Sequence, residues 1–256
     1  MTILDSLRPR PGLRVLVTAG ASGIGAAIAR AFIQAGAKVV LADIDREAVQ
    51  RLADKLGPNA SAAACDVTSP AQISAAVQHC CDHFGEPDVV VNNAGTTHRN
   101  QPMLEVDEAV FDRVFAVNVK SIYHMARAVV PLMKQRGKGV ILNIGSVGSH
   151  RPRPGLTWYN SSKGAVSVMS KSMAVELAAD GIRVNLISPV MAATGLLQDF
   201  MGVADTAENR ARFVATIPLG RMCEPVDVAN AAVFLASPGA RFLTGIDMPV
   251  DGGRAI

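Results

Sequence analysis

Tyr159 and Lys163 lie four residues apart in "WYNSSKGAVSVMSKSMAVELAADG", a stretch with helical spacing, so their side chains share one face a turn apart. A free phenol has a pKa of about 10, and service as a base near neutrality requires a fall of roughly 2–3 units, about 3–4 kcal/mol. An ammonium about 4 Å away supplies roughly 4 kcal/mol at an effective dielectric near 20, so one lysine suffices in principle. A tyrosine beside a lysine is also common on ordinary helices. Ser146 raises the pair above that reading, because the apolar run "GVILNIGSVGS" ends there, just before this helix. A hydroxyl at that place holds a substrate oxygen while Tyr159 moves its proton. The three together describe proton transfer to or from an alcohol oxygen.

A second constellation is "VTAGASGIG", Val17 to Gly25, directly after the apolar run "LRVLV". Gly20, Ser22, Gly23 and Gly25 surround a single Ile24 and keep bulky side chains away. Backbone N–H groups at a helix N-terminus carry partial positive charge and bind phosphate when no Cβ intervenes, so a pyrophosphate is the expected occupant. Glycines alone would also suit any tight turn. Asp43 changes the balance: it ends "KVVLADID", 18 residues after Gly25. A carboxylate there accepts from both ribose hydroxyls of an adenosine and repels a 2′-phosphate. No Arg or Lys lies within the turn or directly at Asp43, although Arg46 is close, so NAD is favoured over NADP.

The elements that must position these residues follow from periodicity. Seven apolar runs, "LRVLVT", "KVVLA", "SAAAC", "DVVV", "GVILNI", "IRVNLI" and "IDMPV", read as strands. Between them lie helix-length segments with apolar spacing near 3.6, such as Ile24, Ile28 and Phe32 beside Ala27, Ala31 and Ala35. Gly36, Gly57, Gly85, Gly137 and Gly181 stand just before the next strand, where a helix ends in a residue able to take positive φ. Strands that are apolar without alternation indicate a parallel sheet buried on both faces. The expected fold is α/β, a single doubly wound Rossmann domain over 1–256, with a roughly seven-stranded parallel sheet and helices on both faces. The stretch 191–221 is too long for an ordinary connection. Its Leu196, Leu197, Phe200, Met201 and Phe213 suit a substrate-binding helical lid or plain core.

The 25 Lys and Arg against 22 Asp and Glu are spread without a basic run, which argues against nucleic acid and anionic membrane as partners. Cys65, Cys80, Cys81 and Cys223 show no metal-ligand spacing, so no metal is expected. The first residues, "MTILDSLRPRPG", lack a long apolar core and include Asp5, which reads as neither a secretory signal nor an anchor; a cytoplasmic protein with reduced thiols is expected.

Taken in order, "TAGASGIG", Asp66-Val67, "NNAG" at Asn92 to Gly95, Asn118 in "NVKSIYHM", Ser146, "YNSSK" and "LTGIDMPVDGG" resemble the short-chain dehydrogenase/reductase family of the common short type, over nearly the whole chain. The resemblance implies Tyr159 as general acid/base, with Ser146 orienting and polarising the substrate oxygen. Lys163 would bind the nicotinamide ribose and lower the tyrosine pKa, and Asn118 would hold a water that relays protons. The cofactor-binding set would comprise Gly20, Ser22, Gly23, Ile24, Gly25, Asp43 and Ile44. It would continue with Asp66 and Val67 at the adenine, and with Asn92, Ala94 and Gly95 as a wall beside the adenosine ribose. Tyr159, Lys163, Pro189, the Ala192 backbone and Thr194 would complete it around the nicotinamide. A homotetramer is the usual assembly.

Two positions depart from the family pattern: Ala19 stands at its first turn glycine, and Val190 follows Pro189 where glycine is usual. Ala19 is tolerated at negative φ, whereas a positive φ would weaken cofactor binding. The expected activity is an NAD-dependent interconversion of a secondary alcohol and a ketone. An NADPH-dependent 3-oxoacyl thioester reductase and a non-catalytic dinucleotide-binding sensor are the alternatives. Thr96, His98, Arg99, Ser149, His150, Arg151, Thr157, Trp158 and the 196–201 stretch are the expected substrate-lining residues, with Arg99 or Arg151 suited to a substrate carboxylate.

Overall fold

Val15, Leu16 and Val17 are all fully buried, yet their side chains alternate between two faces, which requires a sheet covered on both sides. The computed structural model describes residues 3–192 and 197–256. Its strands are β1 (Arg14–Thr18), β2 (Lys38–Asp43), β3 (Ala60–Ala64), β4 (Val89–Asn92), β5 (Gly139–Ile144), β6 (Ile182–Pro189) and β7 (Asp247–Val250). They form one parallel sheet in the order β3-β2-β1-β4-β5-β6-β7. The helices are α1 (Ile3–Ser6), α2 (Gly23–Gln34), α3 (Arg46–Leu56), α4 (Pro70–His83), α5 (Glu108–Phe115), α6 (Ser121–Arg136), α7 (Thr157–Leu177), α8 (Leu197–Met201), α9 (Ala207–Val214) and α10 (Pro225–Ala236).

On one face Val15, Val17 and Leu41 pack with Ile28 and Phe32 of α2, Leu52 of α3 and Leu235 of α10. On the other, Leu16, Val40 and Val90 pack with Ile73 of α4, Met125 and Val129 of α6 and Leu177 of α7. The five glycines expected to end helices all have positive φ. Cys65, Cys80 and Cys223 are buried and free, and burial pushes the Cys80 thiol up to about 12, so they pack as apolar groups.

The chain runs from β1 outward through β2 to β3 and then crosses back to β4 on the other side of β1. The strand order therefore reverses between β1 and β4, and a crevice opens beyond their carboxyl ends. At the opposite end Asp88 receives Arg14 in a two-bonded fork at 2.8 and 2.9 Å, with Arg10 and Arg136 close by. The guanidinium groups hold the Asp88 carboxyl below the usual carboxylate range against the opposing effect of its burial. That cluster clasps the amino ends of the central strands and leaves the carboxyl ends open for chemistry. No described helix is long and apolar enough to cross a membrane. No cluster of His, Cys, Asp or Glu suited to a metal occurs among the described residues.

Candidate active site

β1 ends at Thr18, and α2 begins at Gly23. The first α-helical bond runs from the Ala26 amide to the Ser22 carbonyl, 3.1 Å, so the amides of Gly23, Ile24 and Gly25 lack intrahelical acceptors. Ser22 is extended at φ −148° and its hydroxyl does not cap the helix. Gly25 has no space for a side chain: a Cβ would collide with the Ala19 carbonyl oxygen and stand 2.6 Å from Asn93 Nδ2. The Gly20 amide donates to the Ala42 carbonyl at 3.2 Å and closes the turn onto β2. Ala19 has φ +49° and is, among the described residues, the one non-glycine at positive φ. The condition under which Ala19 would be unstrained is therefore not met.

Asn93, absent from the expected site, is what holds this turn. Its Nδ2 donates to the carbonyls of Thr18 at 3.0 Å and Ala19 at 3.1 Å. Thr18 Oγ1 accepts from the amides of Asn93 and Ala94, both at 3.0 Å. The paired asparagines of "NNAG" were the available signal, but their roles differ. Asn92 turns into the sheet and donates to Asn143 Oδ1 at 2.8 Å, so its side chain ties β4 to β5 away from the crevice.

Asp43 Oδ2 accepts from the Ala21 amide at 2.9 Å and Oδ1 from the Asp45 amide at 3.1 Å. The carboxylate is thereby fixed against the glycine turn with lone pairs to spare. Ile44 beside it is 72% exposed, an apolar side chain with no protein cover. Asp66 Oδ1 accepts from Thr68 N and Oγ1, which shapes the loop after β3, and Val67 packs against the α4 side of the sheet.

Ser146 follows β5, and its Oγ accepts from the Gly148 amide at 3.0 Å. Tyr159, in the first turn of α7, is buried and lines the same cavity as Ser146. Lys163 Nζ donates to the Ile144 carbonyl at 2.9 Å and lies 6.0 Å from the Tyr159 ring centroid. A Cβ on Gly95 would come within 3.4 Å of Lys163 Nζ and 3.6 Å of Asn118 Oδ1, so glycine keeps that gap open. Asn118 sits in a widened π-helical turn, Ala116–Lys120, between α5 and α6. Its Oδ1 accepts from the Thr96 amide, and its Nδ2 donates to the Thr96 carbonyl and Ser162 Oγ. Ser162 in turn donates to the Tyr159 carbonyl, so Asn118 braces the helix that presents the phenol.

Burial pushes the Tyr159 phenol up to about 12, partly opposed by the Ser146 side chain. Burial also pushes the Lys163 ammonium down to about 8. Desolvation is the largest influence on both groups, and the ammonium is directed at the Ile144 carbonyl.

These groups share one cavity of about 380 Å³ with Pro189, Val190 and Ala192. Val190 is buried and donates its amide to the Val250 carbonyl at 3.1 Å, while Ala192 bridges to Cys223. Thr194 and Leu196 lie outside the described residues.

Of the residues expected to line the substrate, Thr96, Arg151 and Phe200 border the cavity. His150 instead pairs with Asp247 at 2.9 Å, Trp158 donates to the Met103 carbonyl at 3.0 Å, His98 is buried beside the Arg99 carbonyl, and Arg99 is exposed. Within the described part of 191–221, Phe200 meets Tyr159 edge to face at 4.9 Å, and Met201 and Phe213 are buried. Arg153 and Arg254 also border the cavity and were not foreseen.

A family model described as enoyl-(acyl carrier protein) reductase matches residues 18–255. The chain is 50% identical to a 4-formylbenzenesulfonate dehydrogenase of Comamonas testosteroni over 244 residues, covering 94% of this chain and 97% of that one. Among solved structures, a 3-ketoacyl-(acyl-carrier-protein) reductase from Brucella melitensis complexed with NADH superposes with TM-score 0.91 at 42% identity, covering 96% and 99% of the two chains. A 7α-hydroxysteroid dehydrogenase complexed with NADH and 7-oxo glycochenodeoxycholic acid gives TM-score 0.91 at 36% identity, covering 99% and 98%.

Proposed function

Because this chain belongs to the short-chain dehydrogenase/reductase family, and is thus an oxidoreductase of the CH–OH group, we propose that it uses NAD to interconvert a secondary alcohol and a ketone, with Tyr159 as general acid/base. The observation that carries this reading is that Ser146, Tyr159 and Lys163 line one cavity together with Gly23 and Ile24, whose amides have no intrahelical acceptor.

The residues present fit a dinucleotide. Gly23 and Ile24 offer amides to a pyrophosphate, with Ser22 and Gly20 shaping the turn and Gly25 admitting the close approach. Asp43 has spare lone pairs for ribose hydroxyls and places a negative charge where a 2′-phosphate would sit, which supports NAD over NADP. Exposed Ile44, with Asp66, Val67, Ala94 and Gly95, completes the adenosine side, and Pro189 and Ala192 the nicotinamide side. The two solved relatives named above were both complexed with NADH, which supports the same choice. When bound, the nicotinamide supplies or accepts the hydride.

The chain's own residues handle the proton. Burial keeps the Tyr159 phenol protonated, so in the reductive direction it gives its proton to the carbonyl oxygen. Ser146 Oγ, with one lone pair engaged by the Gly148 amide, donates its own hydrogen to the same oxygen. Lys163 retains N–H groups beyond the one on Ile144 for a ribose hydroxyl. Both Asn118 amide hydrogens are committed to Thr96 and Ser162, so its side chain acts here by positioning the loop and helix.

Cytoplasmic location and a homotetramer belong to the same reading. Exposed Val168 and Val175 on α7, and Phe242 at 99% exposure, support an assembly that covers them; light scattering tests it. The test of the function is a titration with NADH and NADPH separately, followed by initial rates on secondary alcohols and ketones. Tighter NADH binding with turnover of at least one such pair is expected. Preference for NADPH overturns the reading of Asp43, and binding without turnover favours a sensor.

A further inference from the structure

Arg153 and Arg254 border the same cavity as Ser146 and Tyr159, and both carry a buried Nη1 with no hydrogen-bond partner. Neither is in an ion pair among the described residues. The Arg153 guanidinium lies over the Phe213 ring at 5.4 Å and is close enough to Arg254 to feel its like charge. Arg254 feels Arg151 and Asp251. Arg151 is already engaged, donating to the carbonyls of Arg254 at 2.6 Å and Ile256 at 3.3 Å. The Asp251 carboxylate accepts from the amides of Gly253 at 3.0 Å and Ala255 at 2.7 Å and forms no ion pair with Arg254. Both neighbours thus hold the turn that presents Arg254 without satisfying its free Nη1. Two partly buried cations with free donors and no ion-pair partner are costly unless an anion completes them.

Position decides which anion. Arg153 lies on the loop between Ser146 and Tyr159, and its carbonyl accepts from Asn160, the residue next to Tyr159. The glycine turn is fixed instead to Thr18 and Asn93. The arginines therefore belong to the hydroxyl end of the cavity, and Leu156, Met191, Phe200 and Phe213 supply apolar wall.

We propose that Arg153 and Arg254 form an oxyanion-binding subsite of the substrate pocket, so that the substrate is an organic carboxylate or sulfonate with an apolar body between that anion and the reacting carbinol or carbonyl. The planar guanidinium suits both acids through paired N–H donors. This rests on the oxidoreductase reading above for the reacting end of the molecule, but the anion subsite is separable from it.

The probes are the ketones para-acetylbenzoate and para-acetylbenzenesulfonate, their neutral analogue para-methylacetophenone, and the unreactive benzoate and benzenesulfonate. With NADH, at least one anionic ketone is expected to show KM about 10- to 100-fold below the neutral one. Calorimetry on the NADH-loaded protein is expected to show the matching unreactive anion binding. Arg153→Gln and Arg254→Gln each weaken that binding about 10-fold or more, Arg153→Lys recovers part of it, and the exposed Arg99→Gln does not change it. Equal KM for anionic and neutral ketones, with no binding of either unreactive anion to wild type, overturns the proposal without any variant having to fold. So does a parallel loss of NADH affinity in the Gln variants, which would make the pair a cofactor phosphate clamp. Anion binding that depends on the arginines, with no ketone reduced, supports the subsite and overturns the oxidoreductase reading; reduction without anion preference does the reverse.

Discussion

The two ends of the cavity are made of different material. The glycine turn offers main-chain amides at the start of α2, held by Asn93 and Thr18, and side chains there are small or turned away. The hydroxyl end consists of side chains from helices and loops far apart in the chain, with Arg151 and Arg254 joined across 103 residues. Recognition by main chain tolerates no added atom, whereas recognition by side chains is altered by exchanging one loop residue. One end is thus suited to an invariant group and the other to a variable one.

The sharpest way to break this contrast is Gly25→Ala. Its Cβ would enter the space of the Ala19 carbonyl and Asn93 Nδ2, so NADH binding should be lost, by fluorescence titration. If binding survives, the turn yields more than main-chain packing allows. A substitution among the arginines should spare NADH and change only the substrate.

An intermediate effect concerns Tyr159. In the protein without dinucleotide, the tyrosinate absorbance of wild type minus that of Tyr159→Phe should be flat at pH 10, where a free phenol is half ionised, because burial places this group near 12. The sign for stability follows: a raised pKa means the folded state holds the proton more tightly. The Tyr159 contribution is therefore complete below pH 10 and lost as the pH climbs through about 12. A difference signal already present at pH 8 would mean that Lys163 overcomes desolvation.

The smallest effect is Ala19→Gly. Relieving φ +49° should stabilise the protein by about 1 kcal/mol, net of the added chain entropy, and raise Tm by about 2–4 °C. No gain in Tm or in NADH affinity would show that Asn93 alone pays the strain.

What was legible in the sequence follows the same division. All seven strands and the five helix-ending glycines could be read, because a doubly covered parallel sheet writes itself as short apolar runs with fixed punctuation. The glycine turn, Asp43, Ser146, Tyr159 and Lys163 were legible because each stands at a strand end or on one helix face. The distinction between Asn92 and Asn93 was not, since it depends on which of two adjacent amides turns into the sheet. Nor was the direction of the Tyr159 shift, which depends on burial. Arg153 stands in the visible "RPRPG", but nothing local marks Arg254, which becomes part of the site only when the turn after β7 folds back over the cavity.

The most direct test of the account is Tyr159→Phe, with turnover and NADH binding measured on the same preparation. Turnover should fall about a hundred- to ten-thousand-fold while NADH binds as in wild type. Turnover retained in the variant would contradict the role of Tyr159 as the proton donor and acceptor.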